Sequence, residues 1–220
     1  MERKIIITSD GSTTIHLPEW DEQYHSKHGA IQEAQHVFIK NGLSLFEKES
    51  IAILEIGFGT GLNSFITFLE ASKFELKVDY VGVEAYPVST DEIKKLNYVS
   101  ELNANNVGLV FEKMHQQDWE IINEISSNFS LMKQQKFFKD IEDVDTYNLI
   151  YFDAFGAKVQ PELWTEEIFE LMFRSLKKDG VLVTYSAKGS VRRAMQSVGF
   201  IVERLPGPPG KREMLRATKK

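Results

Sequence analysis

From residue 51 onward, short apolar runs alternate with amphipathic stretches, and polar or glycine residues separate them. The apolar runs have the length of buried strands, and the amphipathic stretches repeat their apolar positions with helical spacing. Strands are predicted at Ile51–Ile56, Val78–Val83, Gly108–Phe111, Tyr147–Phe152, Val181–Tyr185 and Phe200–Arg204, with an antiparallel strand at or near an edge over Glu213–Thr218. Helices are predicted at Asn63–Ala71, Thr90–Leu96, Trp119–Ile125, Thr165–Leu176 and Val191–Val198. This alternation predicts an α/β fold with a mostly parallel, seven-stranded sheet and helices on both faces.

The first fifty residues have a different pattern. Ile5–Thr8 and Thr13–Leu17 flank a Ser-Asp-Gly-Ser turn, which indicates a hairpin, and Ala30–Ile39 carries apolar residues on one helical face. We therefore expect a small N-terminal hairpin and helix extension over residues 1–50 and a main domain over residues 51–220. Residues 126–146 are the least regular part, and we expect a surface insertion there.

Composition narrows the class of protein. The 220 residues are 42% hydrophobic and 26% charged, which is ordinary for a globular domain with a full core. The chain has no cysteine, so disulfides, thiolate metal ligands and thiol nucleophiles are excluded. The first residues contain only three consecutive isoleucines, too few for a signal peptide, and no run approaches the length of a membrane span. We expect a cytoplasmic protein without membrane contact.

Charge is distributed unevenly along the chain. Residues 174–220 hold 12 of the 26 Lys and Arg residues but only 3 of the 32 acids, so a basic end follows an acidic body. A basic face suits a polyanion such as nucleic acid, although a solvated basic surface would give the same pattern. Five histidines do not form a convincing metal site, and none is predicted.

The most informative stretch is LEIGFGTGLN, residues 54–63. It predicts a strand, a glycine turn and a helix start, where glycines let the backbone approach a ligand and free N–H groups point at it. The dinucleotide fingerprint would need a third glycine at position 62, which is Leu62. The spacing, with Glu55 before Gly57, instead resembles motif I of class I S-adenosylmethionine methyltransferases. In those enzymes the turn packs against the methionine moiety of the cofactor.

An acidic residue also follows each of three other predicted strands. Glu84 ends the second strand, where an acid can accept the hydroxyls of a ribose. Asp118 follows the predicted third strand, and the methyltransferase resemblance implies contact with the adenine amino group; it could also be a helix N-cap. Asp153 ends a central strand, where it could hold or deprotonate an amine, or merely cap a turn. Ligands bind beyond the carboxyl ends of such strands, so these acids should share one cleft.

Further segments, in matching order over nearly the whole chain, resemble the methyltransferase domain of the MnmC family, which methylates 5-aminomethyl-(2-thio)uridine at the tRNA wobble position. The segments are Tyr24-His25-Ser26 with Gly29 and Glu33; Leu54–Asn63; Asp153-Ala154-Phe155 with Pro161, Glu162 and Trp164-Thr165; and Gly207–Leu215, which contains Gly210-Lys211-Arg212-Glu213-Met214. The resemblance implies a Rossmann-like class I fold, S-adenosylmethionine as cofactor, and N-methylation that gives 5-methylaminomethyl-(2-thio)uridine in the tRNA anticodon loop.

The resemblance also implies a role for each matching residue. The roles are catalysis for Asp153; the cofactor turn for Glu55, Gly57, Phe58, Gly59 and Asn63; ribose for Glu84; adenine for Asp118; the substrate side for Tyr24, Ser26 and Phe155; and phosphate for Lys211 and Arg212. Lys211 and Arg212 could instead tie the basic end to the acidic body. Many family members carry an FAD-dependent oxidase domain, and this sequence has none, so we expect the stand-alone form. Other enzymes would then supply the aminomethyl group, and no stable protein partner is predicted.

Two other functions stay open at this stage. A methyl- or aminopropyl-type transferase acting on a small amine would also need the glycine turn and the acids, but it leaves the basic end unused. A non-catalytic tRNA-binding module on the same scaffold is the second alternative, because a fold does not fix a function.

Overall fold

The computed structural model describes residues 2–220, and in this range the chain forms two sheets with helices packed around the larger one. The strands are β1 Lys4–Ile7, β2 Thr13–Leu17, β3 Glu22–Gln23, β4 Ser50–Ile56, β5 Lys77–Val83, β6 Ile122–Ser126, β7 Phe129–Gln134, β8 Tyr147–Phe152, β9 Leu176–Thr184, β10 Ile201–Pro206 and β11 Glu213–Thr218. The α-helices are α1 Ala30–Ala34, α2 Leu62–Ala71, α3 Thr90–Ile93, α4 Tyr98–Glu101, α5 Gly108–Gln116, α6 Glu166–Ser175 and α7 Gly189–Ser197.

The large sheet has eight strands in the order β10-β11-β9-β8-β4-β5-β7-β6. Its five central strands, from β9 to β7, run parallel, while β6, β11 and β10 join by antiparallel pairing. The predicted α/β architecture is confirmed, and β11 lies next to the edge as expected. The sheet has one strand more than the seven predicted.

The two sides of the sheet are apolar, as expected for parallel strands covered by helices. One core cluster includes Ile53, Phe65 and Tyr80, and the other includes Leu54, Phe152 and Phe169. Alternate residues of β4 therefore point into different cores, which fixes the register of the central strand.

The N-terminal sheet β1-β2-β3 packs beside the carboxyl ends of the central strands. Arg3 donates to the backbone carbonyl of Tyr86, just after β5, and the Thr13 N–H donates to Asn97 at 2.8 Å. The following helix, continued by a π-helical turn over Gln35–Lys40, buries Val37 and Phe38 in the same core as β4. The boundary at residue 50 stays a prediction, since the core crosses it.

Three predictions for the middle of the chain are wrong. Gly108–Phe111 begins helix α5, Trp119–Ile125 forms a turn and most of β6, and the expected insertion at 126–146 contains β7, a strand inside the sheet. The third parallel strand is therefore β7. The apolar pattern of β7 is interrupted because Lys133 occupies one of its inward positions and is only 1% exposed. The Lys133 Nζ donates to the His115 carbonyl at 2.8 Å.

Candidate active site

The glycine turn after β4 is held by the neighbouring strand. The N–H groups of Gly57 and Phe58 both donate to the Val83 carbonyl at 3.0 Å. Gly57 has φ +89°, and a Cβ there would lie 2.8 Å from the backbone oxygen of Asp153. Only glycine can occupy this position, because the backbone after β4 lies so close to the backbone at the end of β8. Helix α2 then starts at Leu62, one residue before the predicted start at Asn63.

A buried amide joins two carboxylates beneath this turn. Asn63 Nδ2 donates to Glu55 Oε1 at 2.9 Å and to Asp153 Oδ2 at 2.8 Å. Glu55 Oε2 accepts from the Tyr80 hydroxyl at 2.9 Å. Burial raises the pKa of Glu55 well above its ordinary value, although the bonds from Asn63 and Tyr80 oppose that rise. The group is rich in acceptors, and Asn63 Oδ1 is buried without a partner among the described residues.

Asp153 sits at the carboxyl end of β8, and its backbone N–H donates to the Ile56 carbonyl at 2.9 Å. Burial raises its pKa from 3.8 to about 7, and the charge of Glu33 adds to the rise. The hydrogen bond from Asn63 and the charge of Lys211 lower the pKa. A carboxyl group with this pKa exchanges a proton readily near neutral pH, as general acid–base chemistry requires.

Glu84 follows β5 and faces the same turn. Its Oε2 accepts from the Gly59 N–H at 3.0 Å, and its Oε1 accepts from the Tyr86 N–H at 2.9 Å. Each carboxylate oxygen keeps a free lone pair, so Glu84 can still accept hydroxyl groups of a ligand. The carboxylate thus shapes the turn and lines the cavity at the same time.

An ion pair between a buried Glu33 and a partly exposed Lys211, which the sequence did not reveal, lies near Asp153. Lys211 Nζ donates to Glu33 Oε1 at 2.5 Å and lies 3.8 Å from the centre of the Tyr185 ring. Glu33 also accepts from the Ser26 N–H at 2.8 Å. An acid on the apolar face of the helix at residues 30–39, only 6% exposed, was the available sequence signal. Lys211 therefore points inward in this structure, as the alternative of a structural tie implies.

Aromatic residues wall the space in front of Asp153. The Phe155 ring meets the Tyr24 ring edge-on, with centroids 4.9 Å apart. The loop that carries Phe155 is fixed by two long-range bonds: the Trp164 indole N–H donates to the Phe155 carbonyl, and the Tyr185 hydroxyl donates to the Ala154 carbonyl, both at 2.8 Å. Tyr185 in this role could not be predicted from sequence.

One cavity of about 1010 Å³ connects these groups. This volume lies at the upper end of the usual range for small-molecule sites, so the cavity has room for a cofactor and part of an acceptor. Among the predicted site residues, the lining contains Tyr24, Glu55, Gly57, Phe58, Gly59, Asn63, Glu84, Asp153 and Phe155. The cavity also takes in His25, where burial lowers the pKa to about 4. His25 is therefore a neutral wall residue at physiological pH.

Four predicted site residues lie outside that lining in the described range: Ser26, Asp118, Lys211 and Arg212. The segment assumed to be a strand before Asp118 is a helix, so the strand-end basis for choosing Asp118 is wrong. Asp118 is exposed and lies near the end of β7, because the Glu120 N–H donates to the Lys133 carbonyl at 2.7 Å. Its adenine role stays a prediction. Gln134, which ends β7, carries a buried Oε1 atom without a partner among residues 2–220.

The basic end of the chain divides between opposite edges of the sheet. Since β11 runs antiparallel to β9, the loop of residues 207–212 lies at the carboxyl edge with the cavity, and so does the start of α7. Exposed Lys188, Arg193 and Arg212 therefore share that edge. At the other edge Lys219 pairs with Asp145 at 2.7 Å, and Lys220 pairs with Asp179 at 3.0 Å.

Two further searches of residues 2–220 give negative results. No three His, Asp or Glu side chains come together in a way that could hold a metal ion. No helix in this range has both the length and the apolar character needed to cross a membrane.

The residues present fit a cationic nucleoside cofactor. A glycine turn after the central strand, an acid after the next strand and an acceptor-rich pocket define the class of α/β enzymes that bind such a ligand at the sheet's carboxyl edge. The orphaned Asn63 Oδ1, with Glu55 and Asp153, suits a ligand that carries an ammonium group and a sulfonium.

Comparison with known proteins identifies the family. The model of a family of S-adenosyl-L-methionine-dependent methyltransferases matches residues 97–220, more than half of the chain, and the protein belongs to this family. It is a methyltransferase, and its cofactor is S-adenosylmethionine. The Rossmann-like methyltransferase fold predicted from sequence is confirmed.

Among similar proteins, the "tRNA 5-methylaminomethyl-2-thiouridine biosynthesis bifunctional protein MnmC" of Marinomonas sp. is 28% identical over 90% of this chain and 31% of its own length. The protein of the same name from Leptospira interrogans is 28% identical over 96% of this chain and 34% of its own. The chain thus spans about a third of these relatives.

Two solved structures are also similar to this chain. The crystal structure of MnmC2 from Aquifex aeolicus covers all of this chain and 70% of its own, with 26% identity and a TM-score of 0.81. Spermidine synthase from Thermotoga maritima covers 99% of this chain and 73% of its own, with 14% identity and a TM-score of 0.56. The second likeness concerns the fold alone.

Proposed function

We propose that the protein methylates the amine of 5-aminomethyl-(2-thio)uridine at the wobble position of tRNA, giving 5-methylaminomethyl-(2-thio)uridine. The observation that carries the proposal is the placement of Asp153, whose pKa burial raises to about 7, in an aromatic-walled cavity beside the cofactor turn. The MnmC proteins that resemble this chain are named for the biosynthesis of that nucleoside. This chain spans only about a third of the length of these relatives, so we infer its substrate from the site as well as from the likeness.

The cavity divides into two parts under this proposal. The cofactor half comprises Glu55, Gly57, Phe58, Gly59, Asn63 and Glu84. The acceptor half is lined by Tyr24, Asp153 and Phe155, and the Glu33–Lys211 ion pair supports it from outside the lining. Asn63 joins the halves because it donates to both Glu55 and Asp153. Bound S-adenosylmethionine supplies a methyl group on a sulfonium, from which the sulfur leaves as a thioether.

Asp153 acts on the acceptor amine. An aminomethyl group is mostly protonated in water, and an ammonium has no lone pair to attack the methyl carbon. Asp153 Oδ accepts the ammonium proton, so that the amine becomes a neutral nucleophile. Tyr24 and Phe155 remove water from the amine, which favours its neutral form. Holding the nitrogen in line with the methyl group contributes several kcal/mol more to the lowering of the barrier, on the order of that in other well-oriented reactions.

The tRNA reaches this site through its anticodon loop. The wobble base is unpaired, so turning it into the cavity costs less than flipping a base from a duplex. Exposed Lys188, Arg193 and Arg212 at the carboxyl edge supply phosphate contacts. The backbone N–H of Ser26 donates to Glu33, and contact of Ser26 with the substrate stays a prediction. Other enzymes must install the aminomethyl group first, and we place the protein in the cytoplasm with its tRNA.

The test is methyl transfer from radiolabelled S-adenosylmethionine to a tRNA with 5-aminomethyluridine at the wobble position. The same tRNA with unmodified uridine is the matched control. We expect label only in the first tRNA, with incorporation that falls steeply as salt rises. Labelling of a small polyamine instead, insensitive to salt and tRNA, would favour a small-amine transferase. No label in either tRNA would contradict the proposal.

A further inference from the structure

The ring of Tyr24 lies directly against the glycine turn. A Cβ on Gly59 would lie 3.1 Å from Cδ1 and 3.4 Å from Cε1 of the Tyr24 ring. Carbon atoms in ordinary contact are about 3.5–4.0 Å apart, so not even one methyl group fits between the ring and the turn. A Cβ on Gly57 would lie 2.8 Å from the Asp153 backbone oxygen. Tyr24 and the end of β8 therefore contact the same turn, two residues apart.

The neighbours of the Tyr24 ring hold it in this position. The ring meets the Phe155 ring edge-on, with centroids 4.9 Å apart, and Arg3 Cζ lies 5.8 Å from its centre. Arg3 is itself fixed, because it pairs with Glu92 at 3.3 Å. The backbone N–H of Tyr24 donates to the Ile15 carbonyl at 2.9 Å. The ring cannot retreat from the turn without losing these contacts.

The Phe155 ring is constrained in a similar way. The backbone carbonyl of Phe155 accepts from the Trp164 indole N–H at 2.8 Å, and the Trp20 ring meets the Phe155 ring edge-on at 5.7 Å. An added methyl group in such a packed group forces side chains away from their preferred rotamers. Tyr24 and Phe155 thus form a fixed aromatic wall in the cavity that Asp153 also lines.

A second methyl transfer to the same amine would need space beside the nitrogen. The first transfer leaves a methylammonium, which must give one proton to Asp153 after that carboxyl has released its first proton to water. The nitrogen lone pair would then attack another cofactor methyl group, and the new N–C bond would form as the C–S bond breaks and sulfur leaves as a thioether. During that attack the first methyl group points sideways, because the lone pair faces the cofactor and the remaining side faces Asp153.

We propose that Tyr24 and Phe155 limit the enzyme to one methyl transfer per amine, because their rings fill the space that the first methyl group needs during a second transfer. The inference rests on the proposed function and deepens it: the acceptor is a primary amine, and the shape of the site excludes a secondary amine. Both residues determine specificity by filling space, and neither takes the proton.

The test uses two anticodon stem–loop RNAs, with 5-aminomethyluridine or 5-methylaminomethyluridine at the wobble position. Wild type should transfer label from S-adenosylmethionine only to the first RNA, and mass spectrometry should find one added methyl group. Tyr24→Ala and Phe155→Leu should methylate the second RNA roughly tenfold or more faster than wild type, the rate equivalent of the strain of one extra methyl group in a packed site. Their products from the first RNA should include the dimethylated nucleoside.

Two control variants separate the aromatic wall from general room in the cavity. Tyr24→Phe keeps the ring and should form no dimethylated nucleoside. Phe137→Ala removes a ring from the same cavity, in the loop after β7, and should also form none. Dimethylated product from Phe137→Ala would overturn the inference, as would its absence from wall variants that still methylate the first RNA.

A binding measurement tests the wall without turnover. Kd for both RNAs is measured with a non-reactive cofactor analogue that carries an amine in place of the methylsulfonium. Wild type should bind the methylated RNA roughly tenfold more weakly than the primary amine, for the same steric reason. Tyr24→Ala should bind both RNAs alike. Equal affinities of wild type for the two RNAs would contradict the wall.

The outcome for the wall is separable from the outcome for the reaction. If wild type methylates both RNAs at similar rates, the proposed function holds and the wall fails. If wild type methylates neither RNA but binds the methylated one more weakly, and Tyr24→Ala abolishes that difference, the wall holds and the proposed reaction fails.

Discussion

The two halves of the cavity are built in different ways. The cofactor half comes mainly from two short stretches at the ends of adjacent strands, residues 55–63 and 84–86. The acceptor half joins residues from the whole chain; Glu33 and Lys211 are 178 positions apart, yet their side chains form an ion pair. Local sequence therefore determines the cofactor half, whereas the acceptor half exists only when the whole chain has folded.

The difference has a functional consequence. A strand, a tight turn and a helix can hold the same cofactor in many enzymes, since the turn needs only its own backbone and a neighbouring strand. Under the proposed function, the acceptor half would set the acceptor's protonation and position through contacts made by the N-terminal segment and the β10–β11 loop. We expect changes in the two halves to affect different measured quantities, and the following substitutions test that separation.

The largest effect is expected for Asp153→Asn. The amide cannot take the ammonium proton, so kcat should fall by about 10² to 10⁴. Asparagine can still accept the bond from Asn63, so Kd for S-adenosylmethionine should change little. Methyl-transfer rates and calorimetry measure the two quantities. Unimpaired turnover in this variant would remove Asp153 from the mechanism.

Gly57→Ala should impair the cofactor half of the cavity. The new Cβ would lie 2.8 Å from the Asp153 backbone oxygen, at a φ of +89°. We expect a marked loss of cofactor affinity and a stability loss of about 1–3 kcal/mol. Gly156→Ala is the matched control, because its Cβ would meet its nearest neighbours at 3.7 and 3.8 Å. Similar cofactor affinity in both variants would show that the turn is not a tight cradle.

The ion pair of the acceptor half should set the pH dependence. Ionised Asp153 is the active form, so kcat should rise with pH as the pKa of about 7 is passed. Glu33→Gln removes a charge that raises the pKa of Asp153, so the midpoint should move to lower pH. Lys211→Met removes a charge that lowers this pKa, so the midpoint should move to higher pH.

The double variant is the control for these two single substitutions. The double variant Glu33→Gln/Lys211→Met should return the midpoint towards that of wild type and avoid leaving one buried charge unpaired. The cofactor Kd should stay constant throughout. Midpoints that do not move, or that move in the same direction for both single variants, would contradict the electrostatic role of the pair.

A smaller effect is expected at the surface. Arg212→Ala removes an exposed cation at the carboxyl edge and should weaken tRNA binding several-fold, with the slope of log K against log salt reduced by about 1. Lys178→Ala makes the same charge change near the opposite edge and should have little effect. Filter-binding titrations at several salt concentrations measure both. Equal losses would mean that the tRNA is attracted by net charge alone.

The same contrast explains how much could be predicted from sequence. Glu55 and Gly57 belong to one strand–turn pattern and Glu84 to another, and each pattern is contained in a few consecutive residues. The predicted bounds of β8, Tyr147–Phe152, match the structure. The third strand was misplaced because a buried Lys133 breaks its apolar pattern. The same error removed the strand-end basis for choosing Asp118.

The acceptor half was only partly predictable. Asp153, Phe155 and Tyr24 lie in recognisable segments, and the structure brings all three to the cavity. The inward direction of Lys211 and its bond to Glu33 depend on how the N-terminal helix meets the β10–β11 loop, a contact between distant segments. No local pattern encodes such a contact, so the basic end appeared uniform in sequence although its cations have different surroundings.

The central claim is the methylation of wobble aminomethyluridine, and nucleoside mass spectrometry of tRNA from cells lacking the protein tests it most directly. We expect 5-aminomethyl-(2-thio)uridine to accumulate and its methylated product to disappear. The wild-type chain should restore the product, and Asp153→Asn should not. An unchanged level of 5-methylaminomethyl-(2-thio)uridine in those cells, without a second enzyme of the same activity, would contradict the account.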